Sequence, residues 1–123
     1  MLQSATMDVT AIIPIERGDQ KAHVPPLSDY RATSPLWSEA EFHCLDTHAT
    51  QVVGGFWAGE PGSVSSEWPY TEICSILSGR VAIKDSFGAQ REYGPGQGFI
   101  IPKGFVGEWI TIEPSTKIYV AVY

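Results

Sequence analysis

The chain is poor in cationic residues and has none of the long apolar segments that mark a membrane protein. Only 8 of its 123 residues are Lys or Arg, against 14 Asp or Glu, so the formal net charge at pH 7 is −6. No block of Lys or Arg is present to neutralise phosphates, which argues against nucleic acid as a partner. The apolar runs are a few residues long, far below the roughly 18 that a membrane-spanning helix needs. We expect neither a nucleic-acid-binding protein nor a membrane protein.

Cysteine is also scarce. The two cysteines, Cys44 and Cys74, are separated in a way that matches no metal or redox motif. Residues 1–10 lack a basic region followed by an apolar stretch, so we expect no secretory signal. Free thiols and the missing leader favour a reducing compartment, and we therefore expect a cytoplasmic protein.

Apolar residues and regularly placed turn residues dominate what is present. Hydrophobic residues make up 43% of the chain, and 123 residues suffice for one domain with its own core. Beyond residue 50, short β-favourable segments alternate with turns that contain Gly or Pro, at intervals typical of all-β proteins. The pattern predicts an all-β sandwich or barrel. The predicted strands are residues 52–58, 64–76, 80–84, 99–101, 109–112 and 117–123.

Residues 1–49 are less regular. We interpret them as an N-terminal arm with edge strands, ahead of a barrel over residues 50–123, the two forming one domain. Residues 12–15 predict a short edge strand, since Pro14 lacks a backbone donor and is tolerated at an edge. Ser38 and Glu41 fit a capping box, so we expect a single helical turn or a loop there.

Two motifs resemble those of the cupins, small β-barrels that usually hold a metal ion on three His and one Glu. Glu72, followed seven residues later by Gly79, fits the first motif. Gly96, Pro102 and Gly104 fit the second. The resemblance implies a double-stranded β-helix, which is the jelly-roll barrel.

Further matches narrow the resemblance to the cupin_3 (DUF861) group, over roughly residues 50–123. They are Gly55-Phe56-Trp57, Pro61-Gly62, Leu77-Ser78-Gly79-Arg80, Gly104-Phe105-x-Gly107-x-Trp109 and Lys117-Ile118-Tyr119. This group includes small one-domain proteins, an ethanolamine-utilisation accessory protein and relatives of ureidoglycine aminohydrolase. Because one fold hosts many functions, the resemblance implies a fold rather than an activity. It also implies a homodimer that exchanges N-terminal strands, with residues 1–33 as the exchanged arm.

The metal ligands of the motifs are largely missing. Ser66, Trp68 and Gly107 stand at the three histidine positions, and of the four expected ligands only Glu72 remains. One carboxylate without an imidazole holds a transition metal weakly. We therefore expect no metal and no cofactor, with a weakly held divalent cation at Glu72 as the remaining alternative.

The three histidines of the chain, His23, His43 and His48, lie outside both motifs. We interpret them as surface or structural residues. His43 and His48 immediately precede the first predicted barrel strand, so a rewired metal site that uses them is the alternative.

The predicted pocket follows from the two-residue period of a β-strand, which places alternate side chains on one face. Glu72 occupies a ligand position, so we expect its face to line the barrel interior, with Gly107 leaving open space there. The predicted pocket residues are Trp68, Tyr70, Glu72, Cys74, Phe105, Trp109 and Lys117.

Glu72 requires a partner or a task, because a buried carboxylate without a cation costs several kcal/mol or stays protonated. Lys117 and Arg80 are the candidate cations for a structural pair. Alternatively, Glu72 binds the polar part of a ligand or acts as an acid/base. Cys74, with no cation adjacent in the sequence, is interpreted as a small buried hydrophobe.

The sequence therefore predicts a barrel that binds a small polar metabolite, with Glu72 as the anchor and Trp68, Tyr70 and Trp109 as walls. The first alternative is an enzyme with aminohydrolase-like or amidohydrolase-like chemistry on a ureido or amino compound, with Glu72 as the catalytic acid/base. The second alternative is a structural accessory subunit. The residues do not decide between binding and catalysis.

Overall fold

The computed structural model describes residues 6–47 and 49–123. Within these residues there are two single-turn 3-10 helices, Val9–Ala11 and Leu27–Asp29, and no helix is long and apolar enough to cross a membrane. The strands, all paired antiparallel, are β1 (Ala32–Thr33), β2 (Glu39–Thr47), β3 (Val52–Gly59), β4 (Gly62–Glu67), β5 (Thr71–Asp85), β6 (Gln90–Tyr93), β7 (Gly98–Ile101) and β8 (Val106–Val122).

The two longest strands, β5 and β8, form the centre of the barrel and pair with each other along most of their length. The other edge of β8 pairs with β4 in its first half and with β3 in its second half. The other edge of β5 pairs with β7 and then with β6. The β5–β8 register shifts around Ser78 and Arg80, and such irregularities bend the strands. This jelly-roll arrangement confirms the predicted all-β fold.

The bend in β5 depends on Gly79. Its φ is +83°, and a Cβ at this position would lie 2.2 Å from Ser115 Oγ and 2.3 Å from the Pro114 carbonyl oxygen. Ser115 Oγ accepts a hydrogen bond from the Arg80 backbone N–H at 3.0 Å and donates to the Glu113 carbonyl at 2.7 Å. The glycine of the first motif therefore allows β5 and β8 to approach closely where they bend.

Side chains from several strands fill the barrel interior. Along β5 the two-residue alternation buries Glu72, Cys74 and Ile76 and leaves Ile73 and Leu77 on the outer face. The core comprises Trp57, Val64, Trp68, Cys74, Ile76, Val81, Ile101, Trp109 and Tyr119. Many of these residues are aromatic, and the indole N–H groups of Trp57 and Trp68 donate hydrogen bonds to buried carboxylates.

The barrel strands are predicted in the right places but with different limits. The predicted strand 64–76 is two strands, β4 and β5, interrupted at residues 68–70, where Pro69 has no N–H to donate. The predicted strands 109–112 and 117–123 are the two halves of β8, which bends without ending.

Two local predictions ahead of the barrel are wrong. Residues 12–15 do not pair as an edge strand and follow the 3-10 helix Val9–Ala11 as exposed chain. The segment that begins at Ser38 forms neither a helical turn nor a loop, because Glu39–Thr47 pairs with β3 along its whole length. The alternation of inward and outward side chains in this strand outweighs the capping-box pattern.

Gly79→Ala is expected to lower the free energy of unfolding by about 3 kcal/mol, because the left-handed backbone strain adds to a clash with the Pro114 carbonyl. Gly88→Ala is the matched control: φ is +92° there, but a Cβ would meet nothing within 4 Å, so strain of about 1 kcal/mol is the only loss. Urea unfolding measures both variants. Equal losses would contradict the role of close strand approach at Gly79.

Candidate functional site

A small pocket enters the barrel interior beside β2, β3, β4 and β8. Its volume is about 60 Å³, room for a molecule of a few non-hydrogen atoms. We call it the inner pocket. It is lined by seven aromatic residues (Tyr30, Trp37, Trp57, Trp68, Tyr70, Trp109 and Tyr119), three carboxylates (Glu39, Glu41 and Glu72), Lys117, Val64, Ser66 and Pro69.

A wider cavity of about 630 Å³ adjoins the inner pocket. The two share the walls formed by Tyr30, Glu41, Ser66, Pro69, Tyr70 and Tyr119. We call this second cavity the vestibule, because its remaining walls lie toward the protein surface. They include His23, His43 and Asp46.

At the bottom of the inner pocket Glu72 and Lys117 form a buried ion pair. Lys117 Nζ donates to Glu72 Oε2 at 2.6 Å, and both residues are 5% exposed. Cys74 Sγ donates to the same oxygen at 3.0 Å, and Trp68 Nε1 donates to Oε1 at 3.1 Å. Of the two candidate cations, Lys117 is therefore the partner of Glu72, whereas Arg80 pairs with Glu92 on the surface at 2.7 Å.

Each member of this pair stabilises the charged form of the other. Burial by itself raises the pKa of Glu72, but the Lys117 charge and the three hydrogen bonds outweigh it, so that the pKa is lowered. Burial likewise opposes the charge of Lys117, but the Glu72 carboxylate, as opposite charge and hydrogen-bond acceptor, outweighs it and raises the pKa of the ammonium group. Because burial raises the pKa of Cys74 well above its usual value, its thiol is neutral and Glu72 is the counter-ion.

Aromatic rings enclose the ammonium group of Lys117. Its Nζ lies 3.8 Å from the centre of the Trp109 ring, 4.8 Å from that of Trp57 and 5.7 Å from that of Tyr119. A cation above an aromatic face is attracted by the ring quadrupole, and the attraction grows when water is excluded. The rings therefore replace part of the hydration that Lys117 loses on burial.

The metal that cupins usually hold does not fit these residues. Ser66, Trp68 and Gly107 offer no imidazole, and Lys117 already supplies the positive charge beside Glu72. Gly107 does not open the pocket as expected: a Cβ there would lie 2.2 Å from the Lys84 carbonyl oxygen, so this glycine is required for the approach of two strands.

A second buried carboxylate, Glu39, lies at the opposite wall of the inner pocket. It accepts hydrogen bonds from Tyr30 Oη at 2.5 Å, Trp37 Nε1 at 2.8 Å and Trp57 Nε1 at 3.0 Å. All three donors are neutral, and within residues 6–47 and 49–123 no Lys, Arg or His forms an ion pair with it. The charge of Glu39 is thus solvated by hydrogen bonds alone.

Glu41 follows on the same face of β2 and lines both cavities. Its Oε2 lies 2.9 Å from His43 Nε2 and accepts from Tyr119 Oη at 3.5 Å. Burial is the main cause that raises the pKa of Tyr30, Tyr70 and Tyr119, which keeps these hydroxyls protonated at neutral pH. The wall near Glu39 and Glu41 therefore presents carboxylates and neutral hydroxyls.

Five of the seven predicted pocket residues line the inner pocket: Trp68, Tyr70, Glu72, Trp109 and Lys117. Cys74 lies behind them, hydrogen-bonded to Glu72. Phe105 also lies behind the wall, with its ring centre 5.6 Å from that of Trp68. A role for these residues in binding a ligand stays a prediction.

Sequence reasoning missed Glu39 and Glu41, because the segment was not recognised as a strand. The signal available was their spacing of two residues, which puts both carboxylates on one face if the segment is extended. His43, interpreted as structural, continues that row and contacts Glu41. His48, the other residue of the rewired-site alternative, lies outside the described residues.

Lys117→Met is expected to lower the free energy of unfolding by about 3–5 kcal/mol at pH 7, because it leaves the Glu72 carboxylate buried without a cation. Adding Glu72→Gln should recover most of the loss, since it removes the orphaned charge. The control is Arg80→Met in the exposed pair with Glu92, where we expect about 1 kcal/mol or less. Urea unfolding of all three proteins tests this; a double variant as unstable as Lys117→Met would contradict it.

Comparison with known proteins agrees with this architecture. The family model for the EutQ-like cupin domain matches residues 47–119, more than half of the chain, whereas no curated protein sequence matches. Three solved structures are similar. A proposed ethanolamine utilisation protein Q of Salmonella typhimurium is 23% identical, with 68% of each chain covered and a TM-score of 0.61. EutQ of Clostridium difficile is 20% identical, with 94% of this chain and 90% of that chain covered and a TM-score of 0.71, and the polyketide cyclase RemF of Streptomyces resistomycificus is 20% identical, with 90% of this chain and 78% of that chain covered and a TM-score of 0.66. At these identities the likeness shows the fold. The chain belongs to the EutQ-like cupin domain family.

Proposed function

We propose that this protein binds a small, polar, nitrogen-containing metabolite that carries a positive charge, in the inner pocket. The observation that carries this proposal is the unequal charge of the pocket wall. Three carboxylates face one ammonium group, and Lys117 is already paired with Glu72. Among the residues that the structure describes, Glu39 and Glu41 form no ion pair with a Lys or Arg. A buried carboxylate without a cation costs several kcal/mol, and a cationic ligand would offset that cost.

The aromatic walls support the same ligand class. Tyr30, Trp37 and Tyr70 line the part of the pocket near Glu39 and Glu41, so an organic cation there would meet both carboxylates and ring faces. The volume of about 60 Å³ suits a ligand group of a few non-hydrogen atoms. A small amine satisfies both requirements.

The anchor in this proposal differs from the one expected from the sequence. Glu72 is saturated by Lys117, Cys74 and Trp68, and its pKa is lowered. An acid/base catalyst working near pH 7 needs a carboxyl whose pKa is raised toward neutrality. The geometry therefore favours binding at Glu39 and Glu41 over hydrolytic chemistry at Glu72. The two thiols are free, which fits the cytoplasmic location that we also propose.

Thermal unfolding with matched small molecules, in the presence of a chelator, tests the ligand class. Ethanolamine is the first cation to try, because a structural relative bears the name of ethanolamine utilisation. At a hundredfold excess over its Kd we expect stabilisation of about 2.7 kcal/mol, or about 10 °C in Tm. Ethylene glycol and glycolate, of similar size but neutral and anionic, should produce no such shift.

Glu39→Gln should abolish the shift by ethanolamine, whereas Glu67→Gln, a change in an exposed ion pair with Arg31, should leave it intact. Equal shifts by the amine and the neutral diol would overturn the proposed charge preference. A full shift in Glu39→Gln would overturn the proposed anchor.

We further propose that the protein is a homodimer in which the arm of one copy covers the outer sheet face of the other. Ile73 on β5 and Ile100 on β7 are paired neighbours on that face, 46% and 62% exposed. The arm carries exposed apolar side chains of its own at Val9, Ile12 and Val24. Contact between the arm and this face would remove exposed apolar area of both from water, which favours association.

Sedimentation analysis is expected to give a particle of twice the 13.4 kDa chain mass. Replacing Ile73 and Ile100 together by Glu should give a monomer, because two charges on the covered face would lose their hydration. Phe87→Glu, in the fully exposed turn after β5, should leave the dimer intact. A double variant that stays dimeric would show that this face is not the interface.

A further inference from the structure

Two histidines and one carboxylate meet in the vestibule, away from both cupin motifs. His23 reaches β2 through an isolated bridge: its backbone N–H donates to the Glu41 carbonyl at 2.8 Å, and the Glu41 N–H donates back at 2.8 Å. His43 lies two residues beyond Glu41 on the same face of β2. Backbone pairing therefore holds His23 beside Glu41, and side-chain contacts join the group: the His23 and His43 ring centres lie 5.1 Å apart.

The donor atoms of these side chains are close enough to share one ion. One ligand atom from each of His23, Glu41 and His43 lies within 4.8 Å of the other two. The His43 Nε2 to Glu41 Oε2 distance is already 2.9 Å. Ligand atoms around a tetrahedral zinc ion, with bonds of about 2.0–2.1 Å, lie about 3.3 Å apart. Rotation of the exposed His23 side chain is the main adjustment required.

We propose that His23, Glu41 and His43 bind a divalent transition-metal ion of the zinc type at the mouth of the pocket. Two imidazoles and a carboxylate bind ions of this type in preference to magnesium or calcium, because the latter two prefer oxygen ligands. Three protein ligands leave coordination positions open toward the vestibule, as in sites that bind an exogenous oxygen or nitrogen atom. This site is separate from the motif position at Glu72, where Lys117 supplies the positive charge.

The surroundings fit a cation as well. Asp46 Oδ2 lies 3.9 Å from His43 Nδ1, on the side of the ring away from Glu41. Carboxylates commonly face the second nitrogen of a metal-bound imidazole and orient the ring. Asp29 and Asp46 also line the vestibule. The bound ion would add positive charge where carboxylates predominate.

The test uses the full-length protein, stripped of metal with a chelator, then titrated with Co²⁺ followed optically and with Zn²⁺ in competition. We expect one ion per chain and the absorption bands of low-coordinate Co²⁺ with imidazole ligands. His23→Ala and His43→Ala should each weaken binding at least 100-fold. His23 is exposed and outside the core, so this variant should keep the melting temperature of the stripped protein.

Two further variants separate this inference from the proposed amine site. Glu39→Gln should bind the metal as the unmodified protein does while losing the response to ethanolamine. His23→Ala should lose the metal and retain the response to ethanolamine in chelator. Zn²⁺ affinity that survives both histidine substitutions, or a stripped protein that takes up no ion, would overturn the proposed site.

Discussion

The ion pair between Glu72 and Lys117 is the interaction on which the rest of the barrel interior depends. The two residues belong to β5 and β8, the two longest strands, which pair with each other, so the ion pair links the central strands from the barrel interior. Removing such charges from water is unfavourable, and it is tolerated only when hydrogen bonds and the opposite charge replace the water. Cys74, Trp68 and the ring of Trp109 complete that replacement.

This pair also determines which carboxylates of the inner pocket lack a cationic partner from the described part of the chain. In a metal-binding cupin the Glu at this position contributes to a site for an external cation, whereas here the cation belongs to the chain itself. The carboxylates without such a partner consequently lie at the opposite wall, where Glu39 accepts hydrogen bonds from neutral donors and Glu41 borders the vestibule. The molecule retains the inward-facing architecture of its family with a different distribution of charge.

Much of the barrel could be predicted from the sequence, and about half of the candidate site. Turn glycines and short apolar segments indicate where the strands lie. The spacing of Glu72 and Gly79 matches a cupin motif and so indicates that the strands form a jelly-roll barrel. The pairing with Lys117 was one of two alternatives, because residues 45 positions apart come together only when the β5–β8 register is known. The carboxylates of β2 were missed for another reason. A strand rich in charged residues resembles a loop or a capped helix until a buried face is recognised.

Strand β2 carries Glu39, Glu41 and His43 at successive inward positions. It lies at the end of the strand order, paired along its length with β3, and its other edge forms the isolated bridge to His23. A shift of that pairing by one residue would turn all three side chains outward together, because inward and outward positions alternate. The irregularity between His43 and Leu45 interrupts the ladder and opposes such sliding. The side chains that line the inner pocket from this wall thus depend on the alignment of one peripheral strand. An insertion or deletion there would change the chemistry of the cavity while leaving the barrel intact.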